Sequence, residues 1–582
     1  MVKTVPNNMQ ISRKLKYVCA AACITILVVI IVVVTIILTR KSGKTERFSG
    51  AAVSNGPGCS DIAINIMSKG GTVADATIAA LFCEGVVMPQ SMGLGGGFLL
   101  TLYKKDTGEA ISLNSREVAP AAATRDMFGG NATLSLNGGL SVAVPGELRG
   151  YWELYEKYGG GVSWKDIIKP SIDLCNNGIP ITEYVDYVLR SNKDKILSEP
   201  QLTNIFVDPK TNELYKQGDV YTRPLLGATL TKIAEEGGDI LHNGSLTSIL
   251  VKDIQNRNGI ITIEDMNNYR PKWQTPINLT LTGGHKLYSQ PLPGSGVVVA
   301  MILNILDNFL DIENQESIEN YQKIVETFKF SYAKRSLLGD QDFVPLQEIL
   351  DEITSTTFAE RIRKSINITA TSSDTSYYGA NYSVQEDHGT ANLCILAPNG
   401  DAIAVTSTIN YIFGGMVSES TGIILNDQMD DFSSDNIINA YNLPPSPANY
   451  IEPRKQPLSS MSPSIVVDAN GDVVMAIGGA GGSKIITSIA QVIVRHLWYG
   501  TELQAASNFK RFHHQLWPMQ VDLEPLFETE AAYIAEGLKE IGHEVVYVDG
   551  RGFAAVTCVS TRNAGSVTGA WDIRRSGSVT YL

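Results

Sequence analysis

Basic charge is scarce in this 582-residue sequence: 47 Lys and Arg stand against 60 Asp and Glu, for a formal net charge of −13. Nucleic acid is thereby excluded as a partner, because phosphate recognition needs clustered cations, and the only clusters flank an apolar segment near the N-terminus. Histidine is equally sparse. The seven present, among them the adjacent His513 and His514, form no H-E-x-x-H and have no spaced cysteine partners, so no metal is expected. Phosphate-binding glycine loops are missing as well. GGAGGSKI has Ser483 where the Gly before Lys484 belongs and Ile485 where Ser or Thr belongs, and GLGGGF lacks the third Gly of a dinucleotide fingerprint. LPGSGVV carries no G-x-S-x-G nucleophile elbow. Internal repeats are absent, and after residue 50 no Pro-rich or Gly/Ser-rich linker divides the chain.

One long apolar run exists. Residues 17–39 carry no charge, and as a helix they would rise about 34 Å, enough to cross a bilayer and longer than the core of a cleaved signal peptide. Lys3, Arg13, Lys14 and Lys16 before it balance Arg40, Lys41, Lys44 and Arg47 after it, so positive charge alone does not orient the span. Cys19 and Cys23 lie inside it. Of the other cysteines, Cys59 and Cys83 flank a helical stretch and either bridge in an oxidising compartment or stay buried thiols; Cys175, Cys394 and Cys558 have no evident partner. Sequons at Asn131, Asn243, Asn278, Asn367 and Asn381 are candidate glycosylation sites, in a number that composition alone yields.

Beyond a polar stem at 40–50, helical and strand patterns alternate. CSDIAINIMSKGG and TVADATIAALFCEGVV space apolar residues as helices do, each with Ser or Thr near its start. GGGFLLTLYKKDTGEAISLNSR reads as a hairpin turning at Asp106-Thr107-Gly108 and delivering Arg116 at its far end. Residues 150–380 are mostly helical in pattern. ANLCILAPNGDAIAVTST and SIVVDANGDVVMAIGG are two further hairpins, each with a tight turn expected at Asn-Gly, and the second runs through GGAGGSK into an apolar helix. Sheets flanked by helices predict a layered α+β sandwich.

Thr390 stands at the head of the first of these hairpins, directly after Gly389. Were the peptide bond between them to break, Thr390 would gain an α-amine with a pKa of about 8, able to act as base for its own hydroxyl. Its hydroxyl can attack the Gly389 carbonyl to form an ester that water cleaves, and Gly admits the strained backbone such an attack needs. A plain turn before a strand is the alternative.

The surrounding motifs bear on that choice. DHGTANLCILAPNGDAIAVTSTIN, ILNDQMDDFS, KQPLSSMSPSIVV and GGAGG, with AAVSNGPGCSDIAINIMSKGGTVADATIAALFCEGVVMPQSMGLGGGFLLTLY and NSREVAP, resemble the γ-glutamyltranspeptidases from about Phe48 to the C-terminus. The resemblance implies the αββα four-layer sandwich of the N-terminal-nucleophile hydrolases. It implies autocleavage between Gly389 and Thr390, giving a large subunit of 51–389 and a small subunit of 390–582. It also implies a tail at 1–16, a signal-anchor helix at 17–39, a stem at 40–50 and an extracellular catalytic domain on a type II plasma-membrane protein. Thr390 would be the nucleophile and Thr408 the threonine that assists it. Arg116, with Ser459 and Ser460, would hold the substrate α-carboxylate; Asn410, Gln428 and Asp431 would hold its α-ammonium. Gly481 and Gly482 would supply the oxyanion hole. The implied donors are glutathione and other γ-glutamyl compounds, the acceptors water, amino acids or dipeptides, and no cofactor is called for.

These roles fit the chemistry. A γ-glutamyl group is a zwitterion with its reactive carbonyl three carbons away, so a planar guanidinium suits one end and a carboxylate with amide oxygens the other. Two positions depart from the family pattern: His388 where acidic or small residues are familiar, which bears on cleavage rate, and Gln428 where some relatives have Glu, which weakens charge complementarity. The alternatives are an acylase of the same superfamily with another acyl specificity, and an uncleaved, non-enzymatic surface protein.

Overall fold

The computed structural model describes residues 49–380, 382, 389–434, 444–562 and 566–582. The expected membrane span at 17–39, His388 and Asn381 lie outside the described residues, among which no helix is long and apolar enough to cross a membrane.

Two antiparallel sheets form the centre. The first has the order Ser578–Tyr581, Ala51–Ser54, Ala391–Leu396, Ala402–Thr408, Gly97–Lys104, Glu109–Ser115, Lys272–Gln274; the second runs Thr568–Ala570, Ala555–Ser560, Val473–Ala480, Ser464–Val467, Lys286–Ser289, Ile277–Thr280. Alternation along the strands decides which face meets what. Ala51, Val53, Cys394, Leu396, Ala402 and Ala404 of the first sheet pack against Ile465, Val467, Ala476 and Val559 of the second. The residues between them point the other way. Ala52, Leu393, Ile395, Ile403 and Val405 join the helices Cys59–Ser68 and Val73–Val87, while Val466, Met475 and Ile477 join Gly296–Leu306 and Lys484–Ile493. The result is helix, sheet, sheet, helix, as an α+β sandwich requires.

Local sequence explains the outer layers. Val73–Val87 is apolar all round and almost wholly buried, and it starts at a capping box in which Asp75 N–H donates to Thr72 Oγ1 (3.1 Å) and Thr72 N–H to Asp75 Oδ2 (2.9 Å). A disulfide joins Cys59 to Cys83, with Cα atoms 5.5 Å apart, and ties the first two helices together. Cys175, Cys394 and Cys558 are free and buried.

Both Asn-Gly hairpins form, but the turns differ from the expectation. Only the glycines take positive φ, 86° at Gly400 and 75° at Gly471, with Gly400 N–H donating to Ala397 O and Gly471 N–H to Asp468 O. Pro398 is the reason in the first hairpin: its ring fixes a negative φ at the first central position, so the chain makes a longer turn closed by left-handed Gly.

The sheet order interleaves the two sides of Gly389. Ala51–Ser54 lies between Ala391–Leu396 and the C-terminal Ser578–Tyr581, and Gly97–Lys104 pairs with Ala402–Thr408. A break after Gly389 would leave both pieces in one set of hydrogen-bonded sheets.

Candidate active site

Thr390 is buried at the very start of Ala391–Leu396, the third strand of the first sheet. Gly389 before it has φ 53°, and a Cβ there would sit 2.4 Å from Asn410 O, so only glycine fits. The neighbouring strand Ala402–Thr408 ends beside this junction. Thr408 Oγ1 donates to the Gly389 carbonyl at 2.6 Å and accepts from Asn410 N–H at 2.9 Å. Since the hydroxyl has one proton and the backbone N–H occupies a lone pair, that proton is aimed at the carbonyl. Arg575 Nη1 donates to Thr390 O at 2.7 Å and fixes the residue from its other side.

Arg116 leaves Glu109–Ser115 into the interior and is fully buried. Its guanidinium pairs with Asp431, and the Asp431 carboxylate also accepts from Gln428 Nε2 at 2.6 Å. Glu117 stands beside the same guanidinium at 3.4 Å. Arg116 and Asp431 are 315 positions apart, and the turn Gln428–Asp431 brings them together. Asn410 donates through Nδ2 to Asp427 O at 3.2 Å. With both amide nitrogens committed, the buried oxygens Asn410 Oδ1 and Gln428 Oε1 accept no hydrogen bond among the described residues. Two amide acceptors and a carboxylate thus gather in one corner, as an ammonium ligand would require.

Ser459 and Ser460 lie in the buried segment opposite. Arg116 Nε reaches Pro457 O at 3.5 Å, Ser459 O accepts from Ser295 Oγ at 2.6 Å, and Ser460 Oγ accepts from Arg335 Nη2 at 2.8 Å. Val473–Ala480 approaches Thr390 from the second sheet, with Gly478 directly against the side chain of Asn392, and continues into Gly481 and Gly482. A Cβ on Gly481 would lie 2.7 Å from Ala554 Cα, so the backbone there runs unusually close to its neighbour.

Carboxyl groups are concentrated behind this site. Glu84, Glu117 and Glu147 are fully buried, and desolvation pushes their pKa values up to about 7, 7 and 8. Glu147 accepts from Ser407 Oγ at 2.8 Å, one residue before Thr408, and from Tyr151. Asp427 is likewise raised to about 7 by burial, despite the attraction of Lys195 and a bond from Tyr411 N–H.

Nine of the ten residues predicted for catalysis and substrate binding are buried, and Gly481 is half-buried. Arg575, Glu117 and Arg335 were missed, because each follows another charged residue, Arg574, Arg116 and Lys334, in a stretch that reads as surface. Of the sequons, Asn131, Asn243, Asn278 and Asn367 are exposed. No group of His, Cys, Asp and Glu among the described residues is arranged to hold a metal ion.

A sequence model described as gamma-glutamyltranspeptidase matches residues 59–582. The chain is 40% identical to Scoloptoxin SSD14 of Scolopendra dehaani over 91% of its length and 92% of that protein's. It is 36% identical to glutathione hydrolase proenzyme 2 of Schizosaccharomyces pombe, over 85% of this chain and 80% of that one. A cephalosporin acylase structure from Bacillus halodurans shares the fold, with a TM-score of 0.79 at 22% identity over 92% of this chain and 96% of that one.

Proposed function

Given that the chain belongs to the γ-glutamyltranspeptidase family, we infer that it is a γ-glutamyl transferase and glutathione hydrolase acting through Thr390. The observation that carries the reading is the junction itself: a threonine at a strand head, after a glycine whose carbonyl is already hydrogen-bonded by Thr408 at 2.6 Å.

In the continuous chain, Thr390 Oγ attacks the Gly389 carbonyl carbon while Thr408 Oγ1–H stabilises the developing oxyanion. The C–N bond breaks, the nitrogen takes the hydroxyl proton, and an ester joins Gly389 to Thr390 Oγ. Water splits the ester, leaving a carboxylate on Gly389 and a free amine and hydroxyl on Thr390. The pieces are a large subunit ending at Gly389 and a small one starting at Thr390, held together by their interleaved strands.

In the second stage, the amine takes the proton of Thr390 Oγ as that oxygen attacks the γ-carbonyl of the donor. The tetrahedral oxygen is received by the N–H groups of Gly481 and Gly482, and the amine returns its proton to the departing amine of cysteinylglycine. Water, an amino acid or a dipeptide then attacks the γ-glutamyl ester and regenerates Thr390. Arg116, assisted by Ser459 and Ser460, takes the donor α-carboxylate; Asp431, Asn410 and Gln428 take its ammonium. In the empty site Arg116 and Asp431 neutralise each other, and the zwitterion replaces that pair with two pairs of the same kind. A neutral acyl group would separate the pair without replacing it, which disfavours the acylase alternative.

For residues 17–39 the reading is a signal-anchor helix, with the tail 1–16 cytosolic and the catalytic domain outside the plasma membrane. The Cys59–Cys83 disulfide supports an exported domain. Denaturing electrophoresis with N-terminal sequencing, alongside γ-glutamyl anilide turnover, tests the whole reading. Two bands, one starting at Thr390, are expected in the active protein and a single inert band in Thr390→Ala; an active wild-type chain that stays whole overturns it.

A further inference from the structure

The turn that carries Asn410 has a second face. Asn410, Phe413 and Gly414 take φ of 71°, 65° and 53°, left-handed backbone that residues with a Cβ avoid. Lys195, from the helix Lys193–Ser198, holds this turn by donating from Nζ to Ile412 O at 2.9 Å and Gly414 O at 2.7 Å. Behind the turn is a pocket of about 320 Å³ lined by Lys195, Glu199, Arg257, Phe413, Gly415 and Asn137 among others. That volume lies in the range of small-molecule sites, and none of the donor-binding residues lines it.

Its charges are uneven. Arg257 forks onto Glu199, using both carboxylate oxygens. Among the described residues Lys195 has no carboxylate in contact; Asp427 and Glu199 act on it through space, and burial lowers its pKa. An ammonium has three N–H groups and the turn takes two. The pocket wall therefore presents one ammonium that is only partly compensated from a distance, with one donor to spare. A single negative charge balances it, whereas a phosphate dianion would leave an excess.

We propose that this pocket is a second small-molecule site, which takes the carboxylate of a small organic acid on Lys195 and transmits its occupancy through the 410–416 turn to Asn410. The bound carboxylate draws the ammonium toward the pocket, weakens its hold on the Ile412 and Gly414 carbonyls, and relaxes the turn that places Asn410 for the donor. The kinetic part rests on the γ-glutamyl reading above; binding does not.

Butyrate is a suitable probe, since it is a monoanion with neither an amine to serve as acceptor nor a γ-glutamyl group. Titrated calorimetrically into the mature two-chain protein at constant ionic strength, it should bind saturably, and at least ten-fold more weakly in Lys195→Gln. Arg257→Gln makes none of the turn's side-chain bonds, yet it frees Glu199 to repel the acid, so it should also weaken binding and decides the matter alone if Lys195→Gln does not fold. In turnover, butyrate should raise the donor KM about three-fold to a plateau. Absence of saturable binding, equal affinity in the variants, or a KM that climbs linearly without limit, as competition at the donor site demands, would overturn the proposal.

Discussion

Two buried ion-pair clusters, built from the same residue types, end up with opposite uses. In one, Arg511 and Arg574 face Asp572 and Glu524, and every carboxylate oxygen accepts: Asp572 from Arg574, Arg511 and Val556 N–H, Glu524 from Arg574 and Arg511 N–H. In the other, Arg116 faces Asp431, and two amide oxygens nearby, on Asn410 and Gln428, accept nothing among the described residues. Burying charge costs several kcal/mol per ion unless partners restore what water supplied. A cluster whose carboxylate oxygens all accept, with Arg511 Nε alone left without a partner among the described residues, recovers most of that cost in itself and is a scaffold; one with open acceptors recovers it more fully with a ligand. The two are also connected in sequence, because Arg574 anchors the segment from which Arg575 reaches the Thr390 carbonyl.

The contrast breaks if the two arginines behave alike. Arg116→Gln should lower kcat/KM for γ-glutamyl anilide by about 10³-fold, since truncating one partner of a desolvated charge pair costs roughly 2–5 kcal/mol, and most of that should appear in KM. Arg574→Gln should instead lower unfolding stability by about 3–5 kcal/mol, measured by denaturant titration, while the folded fraction keeps its donor KM. Equal loss of stability in both would show that openness does not mark the site.

A narrower comparison concerns the two side-chain donors to the carbonyls of the junction. Thr408→Val keeps shape and removes the proton aimed at the Gly389 carbonyl. Loss of one oxyanion donor typically costs about 10²- to 10³-fold in rate, so appearance of the two bands should slow by about that factor, alongside a stability loss of about 1–3 kcal/mol from the buried Asn410 N–H that loses its acceptor. Arg575→Gln touches the next carbonyl along, and a smaller effect follows: about ten-fold in kcat, with KM nearly constant, because it orients the nucleophile and touches no donor group. A drop confined to KM would remove Arg575 from the positioning role.

The same contrast explains what could be read from the sequence. Helices with caps, hairpins with Gly turns and the alternation that divides the apolar cores on either side of the sheets are local or periodic, and they were legible. Candidate site residues could be named because they sit in short motifs that resemble a known family. The order of strands was not: pairing Ala51–Ser54 with Ala391–Leu396 depends on contacts 340 or so positions apart, which no periodicity encodes. Nor could Arg575, in IRRSG, be distinguished from a surface arginine, since its burial is conferred by elements far away in sequence. Membrane attachment stands apart, because it rests on composition at 17–39 alone.

The smallest expected effect tests the buried acids behind the site. Glu84, Glu117 and Glu147 have folded pKa values raised to about 7, 7 and 8 by desolvation, against 4.5 in the open chain. Raised values mean that the folded state holds these protons more tightly, so the stability they contribute is fully present below pH 4.5 and is lost as pH climbs through 7 to 8. Buried His242, His513 and His543, lowered to about 4, 4 and 3, work the other way: their contribution is present above 6.5 and lost as pH falls toward those values. Above pH 7 the histidines are therefore silent, and the acids alone set the slope, each by up to about 1.4 kcal/mol per pH unit. Glu147→Gln mimics the protonated carboxyl and should keep the bonds from Ser407 and Tyr151. Its stability at pH 6 should match the parent within about 1 kcal/mol, consistent with a near-isosteric change, and its decline between pH 7 and 8 should be shallower. An unchanged slope in the variant would mean that Glu147 is ionised in the folded protein, and the strand bearing Thr408 would then rest on a buried anion.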